Sequence, residues 1–298
     1  MLECPLVLKY WDFLGENRMQ LSSVSRRKFL QSAGILSLSS ISLDSTAHPF
    51  IASEEIDVSH HRVRLKNLPD SFEGFKIVHL TDIHHSKFVS FNEVFRMVEL
   101  ANRQSPDVVL LTGDYITWSK KFIAPVAEAL RNLKSRFGSY AILGNHDMRV
   151  DAEGITQALE TAQIKVLRNS AERIDFKGDS LWIAGVDEYS YGQSDIPKAM
   201  REVPLSQPRI LLAHNPEIVS QATCHQVDFV LAGHTHGGQI KIPFMRSLNV
   251  VTQPSQDFLE GFVRNGNTQM YISRGLGKVV IPVRILCPPE IPVFYLQS

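Results

Sequence analysis

Five short runs of the sequence carry residues able to bind metal or move protons: 81-TDIHH-85, 112-TGD-114, 144-GNHD-147, 214-HNPE-217 and 233-GHTH-236. Imidazole and carboxylate donors without a neighbouring thiolate suit borderline divalent ions such as Mn, Fe or Zn. They suit soft copper or an all-oxygen calcium site less well. Each run alone is a weak signal, because a single D-x-H, or one histidine behind a strand, is more often a hydrogen-bonded turn than a ligand. Their common placement carries the information.

Each run sits directly behind an apolar segment of strand length. These segments are 75-FKIVHL-80, 107-DVVLL-111, 139-SYAIL-143, 209-RILLA-213 and 228-DFVLA-232, with a further one at 181-LWIAGV-186. Apolar residues at spacings of three and four predict helices over 91–104 and 122–133, and Asn92 and Asp151 are the expected N-caps. Strand alternating with helix predicts parallel strands in a layered α/β domain, where ligands bind in the crevice at the strands' carboxyl ends. Asp82 and His84, two apart in extended chain, are expected to point the same way. Beyond residue 239 the segments 239–242, 269–273, 283–286 and 292–296 read as short strands for a second sheet.

Taken in order, D-x-H, G-D, G-N-H-D, H and G-H-T-H behind successive strands resemble the calcineurin-like metallophosphoesterase family from residue 75 to the chain end. The resemblance implies an α/β fold of the four-layer αββα type, two mixed sheets flanked by helices. It also implies two divalent metal ions (Mn, Fe or Zn). Asp82, His84 and His236 would hold one, Asn145, His214 and His234 the other, and Asp114 would bridge them. His146 matches the family histidine that contacts substrate and protonates the leaving oxygen. Asp147 is expected to orient its loop, and Gly113, Gly144, Gly233, Gly237 and Gly238 to permit close backbone approach. Two such ions outweigh the charge of Asp82 and Asp114, so the surplus draws a phosphate, and a shared water deprotonated near neutral pH attacks phosphorus.

One departure narrows the substrate. The Ser/Thr phosphatase branch continues its motif as G-D-x-V-D-R-G, whereas this chain reads 113-GDYITWS-119, with Thr117 and Trp118 at the Asp and Arg positions. A phosphoprotein substrate is therefore disfavoured. The runs 233-GHTHGGQI-240 and 273-SRGLG-277 resemble an exported bacterial branch that includes candidate lipid phosphodiesterases and relatives of UDP-2,3-diacylglucosamine pyrophosphatases. The expected activity is that of a phosphodiesterase on a membrane phospholipid or lipid A-related glycolipid phosphate. A phosphomonoesterase or nucleotide phosphohydrolase, and a catalytically silent metal-binding scaffold, are the alternatives. In 116-ITWSKKF-122 and 86-SKFVSF-91, Trp118 and Phe122 beside Lys120 and Lys121 fit an interface with anionic headgroups. The other reading buries Phe88, Phe91 and Phe122 at helix starts. Arg274 is expected to brace a glycine turn, and 187-DEYSYGQSD-195 to form a loop beside the site.

The chain balances 31 basic against 31 acidic residues, and no basic block interleaved with aromatics points to nucleic acid. Cys4, Cys224 and Cys287 are too few for a disulfide scaffold, although a Cys224–Cys287 bridge is left open. The run 25-SRRKFLQ-31 followed by 33-AGILSLSSISL-43 resembles a twin-arginine export signal, with Ser45-Thr46-Ala47 as a cleavage pattern. Its apolar segment falls short of the about 20 residues that span a bilayer. The expected organisation is an extension and signal over 1–47, with Met19 an alternative start, and a single domain over 48–298. The twin-arginine translocation machinery would deliver it to the periplasm or the outer face of the cytoplasmic membrane, with peripheral membrane contact and a lipid-linked phosphate ester as substrate.

Overall fold

A computed structural model describes residues 55–191, 193–241, 248–249 and 258–298. The expected export signal and Cys4 lie outside the described residues. The apolar runs form short central strands buried on both faces: β2 (Lys76–Leu80), β3 (Val108–Leu111) and β4 (Ser139–Ala141). With β5 (Ile164–Val166) they pair in parallel. On the other side of β2 lies β14 (Glu290–Gln297), antiparallel to it, and β1 (Asp57–Arg64) closes that edge. The first sheet thus runs β1-β14-β2-β3-β4-β5.

The second sheet is built mainly before residue 239. Parallel strands β7 (Asp179–Gly185), β8 (Arg209–Leu212), β9 (Phe229–Ala232) and β13 (Thr268–Ile272) form its body. Antiparallel β6 (Ser170–Phe176) and β12 (Gly261–Asn265) lie at its edges. Strands β10 (Gln239–Ile240) and β11 (Leu248–Asn249) pair separately. Of the late segments expected in a second sheet, 269–273 does join it, but 292–296 inserts into the first. Residues 283–286 form no ladder among the described residues, only an isolated Ile240–Ile285 bridge. There the Arg284 side chain turns inward to bond loop carbonyls.

Period-two alternation explains how one strand serves two cores. Ile77 joins Leu110 and Phe294 against Ile183, Leu212 and Leu231 between the sheets, while Val78 and Leu80 face helices. Those helices are α1 (Phe91–Arg103), α2 (Ile123–Leu130) and α3 (Asn145–Thr161), which cover the first sheet. The second sheet packs on α4 (Ile196–Ala199) and α5 (Val219–Cys224). The result is the expected αββα layering.

Local signals explain the helix ends. Ser90, not Asn92, caps α1, because its Oγ accepts from Glu93 N while the Glu93 carboxylate accepts from Ser90 N at 2.7 Å, a capping box. Asp151 breaks α3 with φ −172° and ψ 80°, and its Oδ1 caps the second half by accepting from Gly154 N at 3.1 Å. Cys287 is a free, buried thiol, so the Cys224–Cys287 bridge is not formed.

Candidate metal centre

The five ligand-bearing runs leave the carboxyl ends of strands from both sheets. Asp82 and His84 follow β2, Asp114 follows β3, and Asn145 and His146 open α3 behind β4. From the second sheet, His214 follows β8, and His234 and His236 follow β9. The crevice therefore lies between two sheet ends. Asp82 and His84 do face one another's cluster, but not as extended chain. Their φ values are 53° and 52°, and Asp114 (57°), His234 (73°) and His236 (54°) share this left-handed conformation. Such residues are held there by their surroundings. Asp82 N donates to Gly113 O at 3.0 Å and His84 N to Asp114 O at 2.9 Å, which fixes the first two loops side by side.

Two glycines permit the close approach. A Cβ on Gly144 would collide with the Asp114 carboxylate, and one on Gly233 with Asp82 and Thr81. Asp147, expected to orient its loop, is fully buried. Its Oδ2 accepts from Asp114 N at 2.7 Å and Gly144 N at 2.9 Å, and its Oδ1 from Tyr115 N at 3.0 Å and Ile116 N at 3.4 Å.

The structure brings all seven expected ligands together in two groups sharing Asp114. In the first, His84 Nε2 lies 3.0 Å from His236 Nε2, and Asp82 Oδ1 lies 3.4 Å from His236 Nε2. In the second, His214 Nε2 lies 3.1 Å from Asn145 Oδ1 and 3.2 Å from His234 Nδ1. Asp114 Oδ2 stands 3.4 Å from both His84 Nε2 and His214 Nε2. For ligand bonds of about 2.1 Å, neighbouring donors are about 3.0 Å apart at octahedral angles and about 3.4 Å apart at tetrahedral ones. The observed spacings match the edges of such shells.

Donor chemistry makes the same point. His214 Nδ1 is 2.7 Å from Thr112 O, and donation to that carbonyl leaves Nε2 as a lone pair facing Asp114. Likewise His84 Nδ1 meets Thr117 Oγ1 at 3.2 Å, turning Nε2 toward His236. These nitrogens converge with the Asp114 carboxylate in a dry pocket, an arrangement that a shared cation satisfies. Burial would lower the His214 pKa, but the adjacent Asp114 carboxylate pushes it up to about 10, so a proton there supplies the positive charge that a metal would displace. Burial and the nearby His214 instead drive His234 down to about 4, and burial lowers His84 and His236. The residues present fit two divalent ions.

His146 borders both groups, with a ring nitrogen close enough to His84 and Asp114 to share an ion with them. Its backbone N donates to Asp114 Oδ1 at 2.8 Å, its Nδ1 is 2.8 Å from Thr117 O, and its ring stands edge-on to His84. Thr117 therefore steadies two histidines. Its position after the G-D motif was legible, but its contacts were not. Arg284 is the other residue that sequence reasoning missed. Fully buried, it donates to the carbonyls of Gly277 and Arg274 and reaches His236 Nδ1 at 3.1 Å. Arg274, expected to brace a glycine turn, instead pairs with Asp57 of β1 and Glu290 of β14. The 187–195 loop is tied to the site through Ser190, whose Oγ accepts from Asn215 Nδ2, next to His214.

Comparison with known proteins gives the family. The description "Calcineurin-like phosphoesterase" matches residues 75–238. Uncharacterized metallophosphoesterase YkuE of Bacillus subtilis (strain 168) is 31% identical over 286 residues, covering 93% of this chain and 99% of its own length. Phosphodiesterase YaeI of Escherichia coli (strain K12) is 29% identical over 286 residues, covering 92% and 99%. An uncharacterized metallophosphoesterase of Helicobacter pylori (strain J99) is 36% identical over 223 residues, covering 72% and 58%. With its donors grouped about a shared carboxylate and near-full-length relatives of this kind, the chain belongs to the calcineurin-like phosphoesterase family, phosphoesterase hydrolases that use two divalent metal ions.

Proposed function

We propose that the protein is a phosphodiesterase acting on a phospholipid or lipid A-related glycolipid phosphate. In this reading residues 1–47 direct export by the twin-arginine machinery, and residues 48–298 work as one domain in the periplasm or on the outer face of the cytoplasmic membrane. The observation that carries the chemistry is Asp114 Oδ2, equidistant from a histidine of each group. Asp82, His84 and His236 would hold one ion, Asn145, His214 and His234 the other, with Asp114 common to both. Bound there, the ions supply Lewis-acid charge for the phosphoryl oxygens and a water of lowered pKa. The chain's own residues do the rest. Thr117 O accepting from Nδ1–H would orient the His146 ring so that, in its protonated form, Nε2–H passes its proton to the leaving oxygen and the ring is left neutral.

Support for a lipid substrate comes from the rim. Trp118, half exposed, stands edge-on to Phe88 at 5.9 Å between ring centroids; exposed Lys87 lies over the Phe88 ring, Lys121 is exposed on the same loop as Trp118, and Lys120 is paired with Asp151. Of the aromatics with two open readings, Phe122 packs inward against His85 and Phe91 faces solvent. An amphipathic ring with cations beside it suits an interface bearing anionic headgroups. The relative named a phosphodiesterase is consistent with the reaction type.

The test is hydrolysis of bis(p-nitrophenyl) phosphate by the purified protein with Mn or with chelator, followed by lipid phosphates. Metal-dependent turnover is expected, abolished in Asp114→Ala and reduced about 10²–10⁴-fold in His146→Ala. Trp118→Ala is expected to lose sedimentation with anionic vesicles. Two bound metals without turnover on any phosphate ester would sink the proposal.

A further inference from the structure

Arg149 is an exposed cation at the edge of the centre, and its protein contacts there are mutually incompatible. Its Nη2 lies 2.6 Å from His146 Nδ1, and that same nitrogen lies 2.8 Å from Thr117 O. One imidazole nitrogen cannot both donate to a carbonyl and accept from a guanidinium. Nη2 is 3.4 Å from that carbonyl, at the limit of a hydrogen bond. Among the described residues Arg149 has no carboxylate partner, and its side chain is exposed. A guanidinium offers five donors in a planar fork suited to an oxyanion.

Position decides which oxyanion. Arg149 lies one helical turn beyond the metal-facing end of α3 and touches His146, which is read as serving the leaving oxygen and borders the His84–Asp114 pair in space. It also lies beside Thr117, whose neighbour Trp118 forms the exposed rim. The cation thus sits on the leaving-group side, between rim and proton donor. In the G-D motif Trp118 occupies the place where an arginine stands in the Ser/Thr phosphatase pattern, so a cation reaches this centre from a different element.

We propose that Arg149 is a substrate-binding residue that pairs with an oxyanion on the leaving group, so that the site prefers esters whose leaving group carries a further phosphate. This rests on the phosphodiesterase reading above. In the reaction a water oxygen bonds to phosphorus, the P–O bond to the leaving group breaks, and the leaving oxygen keeps the electron pair and takes a proton. No oxidant or reductant is required.

The test compares two 5′,5′-linked diadenosine substrates differing by one phosphate, the monophosphate and the diphosphate, with bis(p-nitrophenyl) phosphate as a further probe. The full chain is loaded with Mn, and wild type, Arg149→Gln and Arg149→Lys are compared. Wild type is expected to favour the diphosphate in kcat/KM. Arg149→Gln should reduce that preference by about 10-fold or more, as for loss of a charged hydrogen bond, and Arg149→Lys should restore part of it. A merely structural arginine would lower all three substrates together or change metal content. Equal losses, or a wild type with no diphosphate preference, overturn the proposal. If no substrate turns over, the phosphodiesterase reading fails, and calorimetric titration with inorganic pyrophosphate decides for Arg149: weaker binding to Arg149→Gln supports the contact, equal binding overturns it.

Discussion

Replacing Asp147 by asparagine is nearly isosteric, yet it should unsettle the whole centre. The carboxylate accepts from four backbone N–H groups, two on each oxygen, and it is fully buried. An asparagine keeps one acceptor oxygen and presents an NH₂ to the other two donors. Two backbone N–H groups are then left without partners, at about 1–3 kcal/mol each, so the expected loss is about 2–6 kcal/mol. For a domain of this size that is a fall in Tm of about 5–20 °C. The two N–H groups on Oδ2 belong to Asp114 and Gly144, so the change should also disturb the shared carboxylate and the turn that precedes Asn145. Urea unfolding and metal analysis of the purified variant read both effects. A variant within about 1 kcal/mol of wild type, retaining two metals, would show that these four bonds do not organise the loops.

Gly144→Ala should remove metal from the protein, because the added methyl occupies the space of the Asp114 carboxylate. Overpacking of this kind costs about 1–3 kcal/mol, and a variant that binds two metals with wild-type affinity would contradict the close approach. His79 supplies a pH dependence. Burial pushes its pKa from 6.5 down to about 3, its Nε2 meets Thr112 Oγ1 at 2.7 Å, and its Nδ1 has no partner among the described residues. The unfolded chain then binds a proton that the folded one refuses. The contribution is complete above pH 6.5 and is lost toward pH 3, at up to about 1.4 kcal/mol per unit. His79→Asn should flatten the decline in urea midpoint between pH 6.5 and 5, and an unchanged slope would refute the assignment.

The parts of the centre legible in the sequence are those written in residue type and strand position. Asp82, Asp114, Asn145, His214 and His234 each follow an apolar run that can only be a buried strand, and strand ends face a crevice. The two-sheet architecture was less legible. Strand β1, 57-DVSHHRVR-64, is an edge strand with polar residues on both faces, so no apolar run announces it. Strand β14 reads as one more late strand, whereas its register against both β1 and β2 is a long-range choice. The segment 283–286 shows the reverse error: its β-branched residues resemble a strand, but a buried arginine needing carbonyl partners holds it as a loop. Asn92 had the right chemistry for a cap, and Ser90 won because Glu93 stands three residues after it.

What no residue type announces is the backbone that aims the ligands. Five of them lie in left-handed conformations that ordinary side chains avoid, each costing about 1–3 kcal/mol. The expectation that Asp82 and His84 align as extended chain reached the right neighbours by the wrong geometry. Local preference alone would straighten these loops. They persist because each is bonded to another loop: 82–84 to 113–114 through backbone pairs, 113–116 to 144–147 through Asp147, and 233–234 to Asp82 through its carboxylate. Every one of those bonds joins different strand ends, and the last joins different sheets. The site is therefore a property of the assembled sandwich, and the strain in its loops is sustained by the same contacts that set the spacing between donors. A substitution that relaxes one loop should cost metal binding before it costs the fold, so metal content is the more sensitive readout of damage at this centre.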